Sequence, residues 1–252
     1  MLGRLVSSVG SAIQGTPLEE PLDSAFYRVI GPRRAELTLD GLTAQFNARS
    51  SSEYLSAQDL GGESVVVEAM LDELSADDVV WDVGAFVGWH AALFGQIAET
   101  IAFEPEPDTF VKLQETCALN PEARITPVCL GLGNPDAPRD RVGIVAGEGG
   151  EITGDAAASR ATTVAKPATL IDSVLAQPTA MKLDVQGLEG PVIDGFGDYL
   201  ADLNLLFVEF HEGRMVGDWT PATLHDRITD AGLEQREELP RREDILKLYV
   251  RP

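Results

Sequence analysis

The spacing of apolar and polar positions changes near residue 79. From there, short β-branched runs that predict strands alternate with stretches of helical periodicity. The predicted strands cover 79–84, 100–106, 125–133, 179–187 and 204–211, and the predicted helices cover 88–96, 108–120, 168–175, 188–202 and 221–232. Such alternation is typical of the α/β class, in which helices cover both faces of a mostly parallel, doubly wound sheet.

The N-terminal part of the chain follows other patterns. Apolar residues at helical spacing over 2–13 predict a short amphipathic helix. Alternation of apolar and polar residues on both sides of Asp40-Gly41 predicts a β-hairpin, because this dipeptide suits a tight turn. A further helix is predicted over 64–74, with Ser64 as its N-cap residue.

The C-terminal part contains two strand candidates, over 233–239 and 244–250, which are close enough in sequence to pair antiparallel. A stretch rich in Gly, Asp and Ala over 134–165 predicts a loop or hairpin insertion. We expect an N-terminal extension over 1–63, made of the helix and the hairpin, to pack on a main domain over 64–252.

Composition narrows the class of protein. With 252 residues, 44% of them hydrophobic, and two cysteines, the chain can form one sizeable core without a disulfide or metal staple. No apolar run approaches the ~20 residues that cross a bilayer. The first residues also lack the continuous apolar core of a secretory signal. We therefore expect a cytoplasmic protein without an integral membrane segment.

The charge is strongly acidic, since 19 basic residues stand against 41 acidic ones and the net charge is −22. Such a surface repels phosphate backbones, so nucleic acid is not expected as a partner. The acids are spread along the chain, and arginine far outnumbers lysine. This pattern predicts a hydrated surface suited to high salt, and hence a halophilic protein. An ordinary acidic protein is the alternative.

The residues after the first strand of the alternating region indicate a ligand-binding turn, with the sequence D-V-G-A-F-V-G. Gly84 permits a tight turn and the close approach of a ligand, and Gly88 permits close helix packing or ligand access. The dinucleotide pattern G-x-G-x-x-G is absent, because two of its glycine positions hold aromatic residues. An acid, Asp82, begins the turn and suits a cationic or amine-bearing ligand better than a phosphate.

A second acid, Glu104, ends the second strand of this region, 20 residues beyond Gly84. A carboxylate at this place can accept both hydroxyls of a ribose. A ribose without pyrophosphate, together with an amino group, describes S-adenosylmethionine. We predict that this cofactor is bound by Asp82, Gly84, Ala85, Gly88, Glu104 and Pro105. In the alternative interpretation Asp82 caps the next helix and Glu104-Pro105 is a surface turn.

These features give the chain a resemblance to the FkbM-type methyltransferases, a branch of the S-adenosylmethionine-dependent class. The likeness rests on four segments in the family's order, over 79–95, 101–120, 168–196 and 205–212. It implies a Rossmann-like, seven-stranded sheet whose last strand is antiparallel. It also implies methyl transfer, commonly to an oxygen of a sugar or natural product.

The resemblance also assigns individual residues. It places Asp82, Gly84 and Gly88 on the family's cofactor turn and Glu104 on its ribose-binding acid. Its K-x-D-x-E-G segment corresponds to Lys182, Asp184 and Gly187. The chain departs from the family twice. Phe86-Val87 stands where the family has Asn-Ile, and Gln186 replaces a glutamate, so one carboxylate is missing.

Candidate catalytic residues lie at the ends of later strands. Asp184 ends the fourth strand of the region, and Glu209 and His211 end the fifth, where alternate positions share one face. In one route His211 or Asp184 is a general base without a metal; in the other, all three hold a divalent cation that lowers the pKa of the acceptor hydroxyl. Strand order without distances is weak support for a metal, so we expect the metal-free route. Lys182 is expected to pair with a nearby acid, and His90 to be a packed side chain.

We predict an S-adenosylmethionine-dependent O-methyltransferase that acts on a hydroxyl of a sugar or of a small, natural-product-like acceptor. Two alternatives stay open. An NAD-dependent oxidoreductase would share the sheet, but the third glycine of its pattern is missing. A cofactor-binding module without catalysis is suggested by Gln186. The sequence predicts neither the acceptor nor the oligomeric state.

Overall fold

The order of helices and strands follows the alternation seen in the sequence. A computed structural model describes residues 19–134, 143–144, 152–153, 163–241 and 244–252. Its helices are α1 (Glu19–Ile30), α2 (Ser51–Asp59), α3 (Ser64–Glu73), α4 (Trp89–Ile97), α5 (Pro107–Leu119), α6 (Pro167–Ser173), α7 (Glu189–Phe196) and α8 (Pro221–Asp230). Within these described ranges, no helix has the length and apolar character needed to pass through a membrane.

The strands include several short ones around the predicted insertion. They are β1 (Arg33–Leu39), β2 (Leu42–Ala48), β3 (Val79–Val83), β4 (Glu99–Phe103), β5 (Ile125–Val128), β6 (Gly131–Leu132), β7 (Gly143–Ile144), β8 (Ile152–Thr153), β9 (Val164–Ala165), β10 (Ala180–Leu183), β11 (Leu205–Phe210), β12 (Glu234–Arg241) and β13 (Asp244–Val250). Short 3₁₀ turns cover Leu60–Gly62, Gly197–Asp202 and Glu212–Arg214.

Seven strands form the main sheet, in the order β12-β13-β11-β10-β3-β4-β5. The strands from β11 to β5 are parallel. The last strand, β13, runs antiparallel to both of its neighbours, β11 and β12. The predicted fold class is therefore confirmed: a doubly wound, mostly parallel sheet with an antiparallel last strand, whose C-terminal pair is joined as expected.

The sheet is buried on both faces because successive side chains of each strand point to opposite sides. In β3, Val80 packs into a core shared with the hairpin, α3 and α4, whereas Trp81 and Val83 pack into a core shared with α7 and α8. In β11, Leu206 joins the second core and Phe207 the first. This double burial explains why the strands appear in the sequence as nearly continuous apolar runs.

The predicted hairpin is present as β1 and β2, which pair antiparallel along their whole length. Asp40 and Gly41 both have positive φ, 48° and 77°, as the two-residue turn requires. The hairpin is attached to the end of α5, because the Asn120 side chain bonds both the backbone N–H and the carbonyl of Gln45 at 2.8 Å. The division into an extension and a main domain at residue 63 stays a prediction.

Two expectations are corrected, and two helices are added. Ser64 is not the N-cap of α3; Glu63 holds that position without a side-chain cap bond. The predicted strand over 125–133 is two strands, because a turn after Val128 ends β5 and β6 pairs instead with β9. The helices α1 and α2 were not predicted, although Ser50 caps α2 by accepting the N–H of Glu53 at 3.0 Å. The short α2 carries no apolar stripe that periodicity would detect.

Two expectations fall largely outside the described residues. The amphipathic helix over 2–13 lies wholly outside them. Of the insertion over 134–165, the structure describes the antiparallel pair β7 and β8 and the strand β9. The carboxyl ends of β3, β4, β10 and β11 lie at one edge of the sheet, and the candidate site is built there.

Candidate functional site

The turn after β3 has the tight geometry that its glycines predicted. Gly84, Phe86 and Gly88 all have positive φ, at 80°, 52° and 89°. The N–H groups of Gly84 and Ala85 donate to the carbonyl of Phe103 at 3.1 and 2.9 Å, which ties the turn to the end of β4. The chain then enters α4 directly after Gly88.

Each glycine of the turn meets a neighbouring element. A Cβ on Gly84 would lie 1.8 Å from the carbonyl oxygen of Asp184, so the close approach is made here by the backbone that follows β10. A Cβ on Gly88 would lie 2.7 Å from Leu113 of α5. Of the two interpretations of Gly88, the structure therefore shows close helix packing.

Glu104 lies beside this turn, in the loop that follows β4. It is buried, and its two carboxylate oxygens accept the N–H groups of Phe86 at 3.0 Å and Glu106 at 2.8 Å. Burial raises the pKa of Glu104 to about 7, although the hydrogen bonds from the two backbone N–H groups act to lower it. Pro105, half-buried, fixes the chain between the two acids. Each carboxylate oxygen retains a lone pair for a further donor.

Lys182 joins the turn to the end of β10. Its buried ammonium donates to the carbonyl of Gly84 at 2.9 Å and lies 3.6 Å from Asp82 and 3.5 Å from Asp184. Burial opposes its charge, but the carboxylates of Asp184 and Asp82 raise the pKa of Lys182 above its ordinary range. The expected pairing with a nearby acid is thus confirmed, and it involves two acids.

Asp82 is fully buried on β3. Neither of its carboxylate oxygens makes a hydrogen bond among the described residues, so Lys182 supplies the compensating charge. Burial also works against the charge of Asp184, but Lys182 and His211 hold the pKa of Asp184 below its usual value. The two carboxylates outnumber the single ammonium, so this part of the site keeps a net negative charge.

Asp184, Glu209 and His211 converge, as the sequence predicted for strand ends on one edge. We call them the acid–histidine cluster. Their nearest ligand atoms all lie within 4.8 Å of one another. The Nε2 atom of His211 is 3.6 Å from Asp184 Oδ1 and 3.8 Å from Glu209 Oε2. Glu209 and His211 are buried, whereas Asp184 is partly exposed.

Glu189, at the start of α7, is a site residue that the sequence analysis missed. It is fully buried, and its Oε1 atom accepts the N–H of Gly187 at 3.0 Å and lies 2.7 Å from Nδ1 of His211. Burial opposes protonation of His211, but Glu189 and the carboxylates of the cluster raise its pKa. Nothing in a helical pattern marks Glu189, since its role depends on a contact 22 residues away.

Gln186, which replaces the family's glutamate, bridges the cluster to the loop after β11. Its side-chain amide donates to Asp184 Oδ1 at 3.1 Å, and Arg214 donates to its side-chain oxygen. Gln186 has a φ of 55°, which is uncommon for any residue other than glycine. A glutamate here would place a second carboxylate against Asp184, whereas the amide orients that acid.

A second acid–histidine pair adjoins this group. His90, on α4, is packed against Phe94 as expected, but its Nε2 atom also lies 3.1 Å from the carboxylate of Glu63. Burial raises the pKa of Glu63, yet the hydrogen bond and charge of His90 hold it below its ordinary value. Glu63 and Asp184 are close enough for their charges to interact. Glu63 precedes the predicted domain boundary, and no pattern in the sequence pointed to it.

Solved methyltransferase structures are similar to this chain at low identity. The magnesium protoporphyrin IX methyltransferase of Synechocystis, solved with bound S-adenosylmethionine, is 13% identical, with 77% of this chain and 81% of that chain covered and a TM-score of 0.47. An rRNA methylase of Streptococcus thermophilus is 10% identical, with 75% and 95% covered and a TM-score of 0.48.

Sequence comparison is more specific. Residues 82–235, more than half of the chain, match the family described as the methyltransferase FkbM domain. The chain is also 31% identical over 183 residues to the hexuronic acid methyltransferase AglP of Haloferax volcanii, which covers 72% of this chain and 75% of that protein. These matches confirm the predicted enzyme class and set aside the two alternatives. The chain belongs to the FkbM family and is an S-adenosylmethionine-dependent methyltransferase.

Proposed function

We propose that this enzyme transfers a methyl group to an oxygen of a sugar acceptor, in the first place a hydroxyl, at the acid–histidine cluster. The observation that carries the proposal is the convergence of the cofactor turn, Glu104 and the cluster on one edge of the sheet. Lys182 connects the two halves, because it contacts both Gly84 and Asp184. An acceptor oxygen at the cluster would therefore lie near a methyl donor held by the turn.

The cofactor residues are proposed from their chemistry. Glu104 has a free lone pair on each oxygen and suits the two ribose hydroxyls. Asp82, with Asp184, keeps a net negative charge near the turn and favours the cationic sulfonium and the amino group. Gly84, Ala85, Gly88 and Pro105 shape the turn and its flanking loop, and we keep them as proposed cofactor-binding residues.

The transfer is an in-line displacement. A lone pair of the acceptor oxygen forms the C–O bond while the C–S bond breaks, and its electron pair stays on sulfur, which becomes a neutral thioether. Alignment of the reacting atoms can supply roughly 7–11 kcal/mol of the barrier reduction. A hydroxyl acceptor must also lose its proton, and the cluster promotes this either as a base at His211 or Asp184 or by holding a cation.

The acceptor class is proposed from the relative and from the charge of the site. A hexuronic acid, named in the relative, offers both hydroxyl and carboxylate oxygens. A carboxylate needs no base to act as a nucleophile, whereas a hydroxyl does. Because the cluster can promote loss of a proton, we propose the hydroxyl first. The carboxylate is the second candidate, because the relative's name contains a hexuronic acid. Mild alkali separates the products, because it cleaves a methyl ester and leaves a methyl ether intact.

The proposal is tested by transfer of a labelled methyl group from S-adenosylmethionine to uronic-acid-containing and neutral glycans. His211→Gln should lower transfer by roughly 10²–10⁴-fold without loss of S-adenosylhomocysteine binding in a calorimetric titration. Glu115→Gln, which changes a partly exposed ion pair with Arg49, is the matched control. Absence of transfer to any glycan, with full binding of S-adenosylhomocysteine, would refute the acceptor class.

The setting of the enzyme is also a proposal. We propose a cytoplasmic protein of a high-salt cell that has a small-molecule or glycan acceptor and no nucleic-acid partner. The net charge of −22 supports this, as does the relative's origin in a halophile. Retention of the chain on a nucleic-acid column in molar salt would contradict the absence of a nucleic-acid partner. An acidic surface is not attracted to phosphate, so retention would have to come from a specific binding site.

A further inference from the structure

We infer that Asp184, Glu209 and His211 bind a divalent cation, with one imidazole nitrogen and two carboxylates as the protein's ligands. The inference deepens the proposed function, since the cation would lie where the acceptor oxygen is activated. The sequence left open a metal-free base and a bound divalent cation, and it favoured the metal-free base. The interatomic distances, which strand order could not supply, now favour the cation.

The first support is the spacing of the ligand atoms. Two ligands about 2.1 Å from one ion, at angles of 90–110°, lie roughly 3.0–3.4 Å apart. Nε2 of His211 lies 3.6 Å from Asp184 Oδ1 and 3.8 Å from Glu209 Oε2. Shifts of a few tenths of an ångström would bring both pairs to this spacing. The third pair, between the carboxylates of Asp184 and Glu209, lies within 4.8 Å and would have to close further.

The second support is the state of His211. Its ring is 1% exposed, and Nε2 makes no hydrogen bond among the described residues although it points at two carboxylates. A buried polar atom without a hydrogen bond requires an explanation. The other ring nitrogen is held by Glu189 at 2.7 Å. A proton on Nδ1, donated to Glu189, leaves the lone pair of Nε2 directed into the cluster.

The surroundings of the cluster match those of a metal site. A histidine that binds a metal commonly donates its second N–H to a carboxylate, as His211 can to Glu189. Asp184 is likewise held from outside the cluster, by the amide of Gln186 at 3.1 Å and by Lys182 at 3.5 Å. Both residues are thus oriented before any ion arrives, which lowers the cost of binding it.

The charges give a further reason for a cation. Asp184, Glu209 and Glu189 bring three carboxylates to one imidazole, and the ammonium of Lys182 is shared with Asp82. Buried or half-buried carboxylates at these distances repel one another, and the repulsion is screened little in a protein interior. A divalent ion would offset most of it.

One imidazole and two carboxylates are a ligand set for Mg²⁺, Mn²⁺ or Zn²⁺, and Mn²⁺ is the probe chosen here because it is paramagnetic. Three protein ligands leave open positions on such an ion. An acceptor hydroxyl in one of them would lose its proton more readily, and the proton would pass to solvent water. A hexuronate carboxylate could occupy a second position, which would explain how so acidic a site accepts an acidic sugar.

The test is Mn²⁺ binding by the full chain in 2 M KCl, followed by electron paramagnetic resonance without cofactor or acceptor. We expect one tightly bound ion, with a histidine nitrogen coupling in the pulsed spectrum. Asp184→Asn, Glu209→Gln and His211→Gln should each weaken binding at least 10-fold, and His211→Gln should abolish the nitrogen coupling. Glu189→Gln, which keeps all three ligands, should weaken binding by roughly 10–100-fold.

The control is Glu115→Gln, which removes the acid of a partly exposed ion pair with Arg49 outside the cluster and should bind Mn²⁺ as the wild type does. Circular dichroism and S-adenosylhomocysteine binding identify any variant that fails to fold. The inference is overturned if the wild type binds no Mn²⁺ beyond the surface background, or if binding shows no nitrogen coupling. If no ion binds at the cluster, methyl transfer should be unchanged by a chelator. That result would overturn the metal site but not the proposed methyl transfer to a sugar.

Discussion

At the scale of single residues, burial and partner decide which carboxylates of the site carry charge. Asp184 and Glu104 are acids on one edge of the sheet with opposite behaviour. The ammonium of Lys182 lies 3.5 Å from Asp184 and lowers the pKa of that acid. Glu104 accepts two backbone N–H groups and contacts no cation among the described residues, and burial raises its pKa to about 7.

This difference predicts a stability effect at Glu104. Because its folded-state pKa of about 7 exceeds its ordinary value of 4.5, the folded protein holds a proton between these values that the unfolded chain lacks. The stabilisation is present at low pH and is lost as the pH rises through 7. We expect Glu104 to contribute about 2 kcal/mol more to the free energy of unfolding at pH 5.5 than at pH 8.

Chemical denaturation of the wild type and Glu104→Gln at both pH values, without cofactor, measures this contribution. The stability difference between the two proteins should shift by that amount in favour of the variant as the pH rises. Glu122→Gln, which changes an exposed carboxylate, should follow the wild type. Equal pH dependence in the wild type and Glu104→Gln would show that Glu104 is ionised throughout.

At the scale of elements, the site depends on how closely β3 and β10 approach where both strands end. Asp184 donates its N–H to the carbonyl of Val83 at 3.1 Å, and its own carbonyl occupies the space that a side chain on Gly84 would need. The same contact places the carboxylate of Asp184 beside Lys182. Gly84 therefore positions the cluster as well as forming the turn.

Gly84→Ala should disrupt this junction. The new Cβ would meet the Asp184 carbonyl at 1.8 Å, in addition to the strain of a positive φ. We expect the free energy of unfolding to fall by about 3 kcal/mol or more, and methyl transfer to be lost. Gly41→Ala is the matched control, since φ is 77° there and nothing lies within 4 Å, so about 1–2 kcal/mol is expected. Equal losses in the two variants would refute the steric argument.

At the scale of the whole molecule, the excess of acids sets the conditions in which the fold is stable. A net charge of −22 on 252 residues produces self-repulsion that salt screens, since the screening length falls from about 10 Å at 0.1 M to about 3 Å at 1 M. The surface ion pairs do not offset it. Those at Arg49 and Lys112 involve partly exposed side chains, and such pairs contribute at most about 1 kcal/mol each.

Salt should therefore stabilise the chain. We expect the free energy of unfolding to rise by about 2 kcal/mol between 0.1 M and 2 M KCl, which corresponds to an increase in Tm of roughly 4–8 °C. Sucrose, which favours burial without screening charge, separates the two effects. A chain equally stable and active in dilute buffer would refute the halophilic interpretation.

Local features of the sequence were sufficient for the hairpin, for the alternation of strands and helices in the main sheet, and for the tight turn after β3. Strand and helix periods differ, and Asp40-Gly41 and Gly84 occupy backbone conformations that these residue types adopt readily. The end of each strand also followed, so Asp184, Glu209 and His211 could be assigned to one edge of the sheet. These assignments need only neighbours in sequence and the rule that parallel strands end together.

The partners of those residues depended on tertiary structure. Glu189, in α7, and Glu63, the N-cap residue of α3, lie in segments without a predicted site residue, and their sequence neighbours say nothing about the histidines that they contact. The distances within the acid–histidine cluster exist only once β10 and β11 are side by side, and so does the setting of His211 Nε2, which has no hydrogen-bond partner in the described part of the chain. Periodicity shows which face a side chain occupies, whereas coordination depends on separations of a few tenths of an ångström between residues distant in the chain.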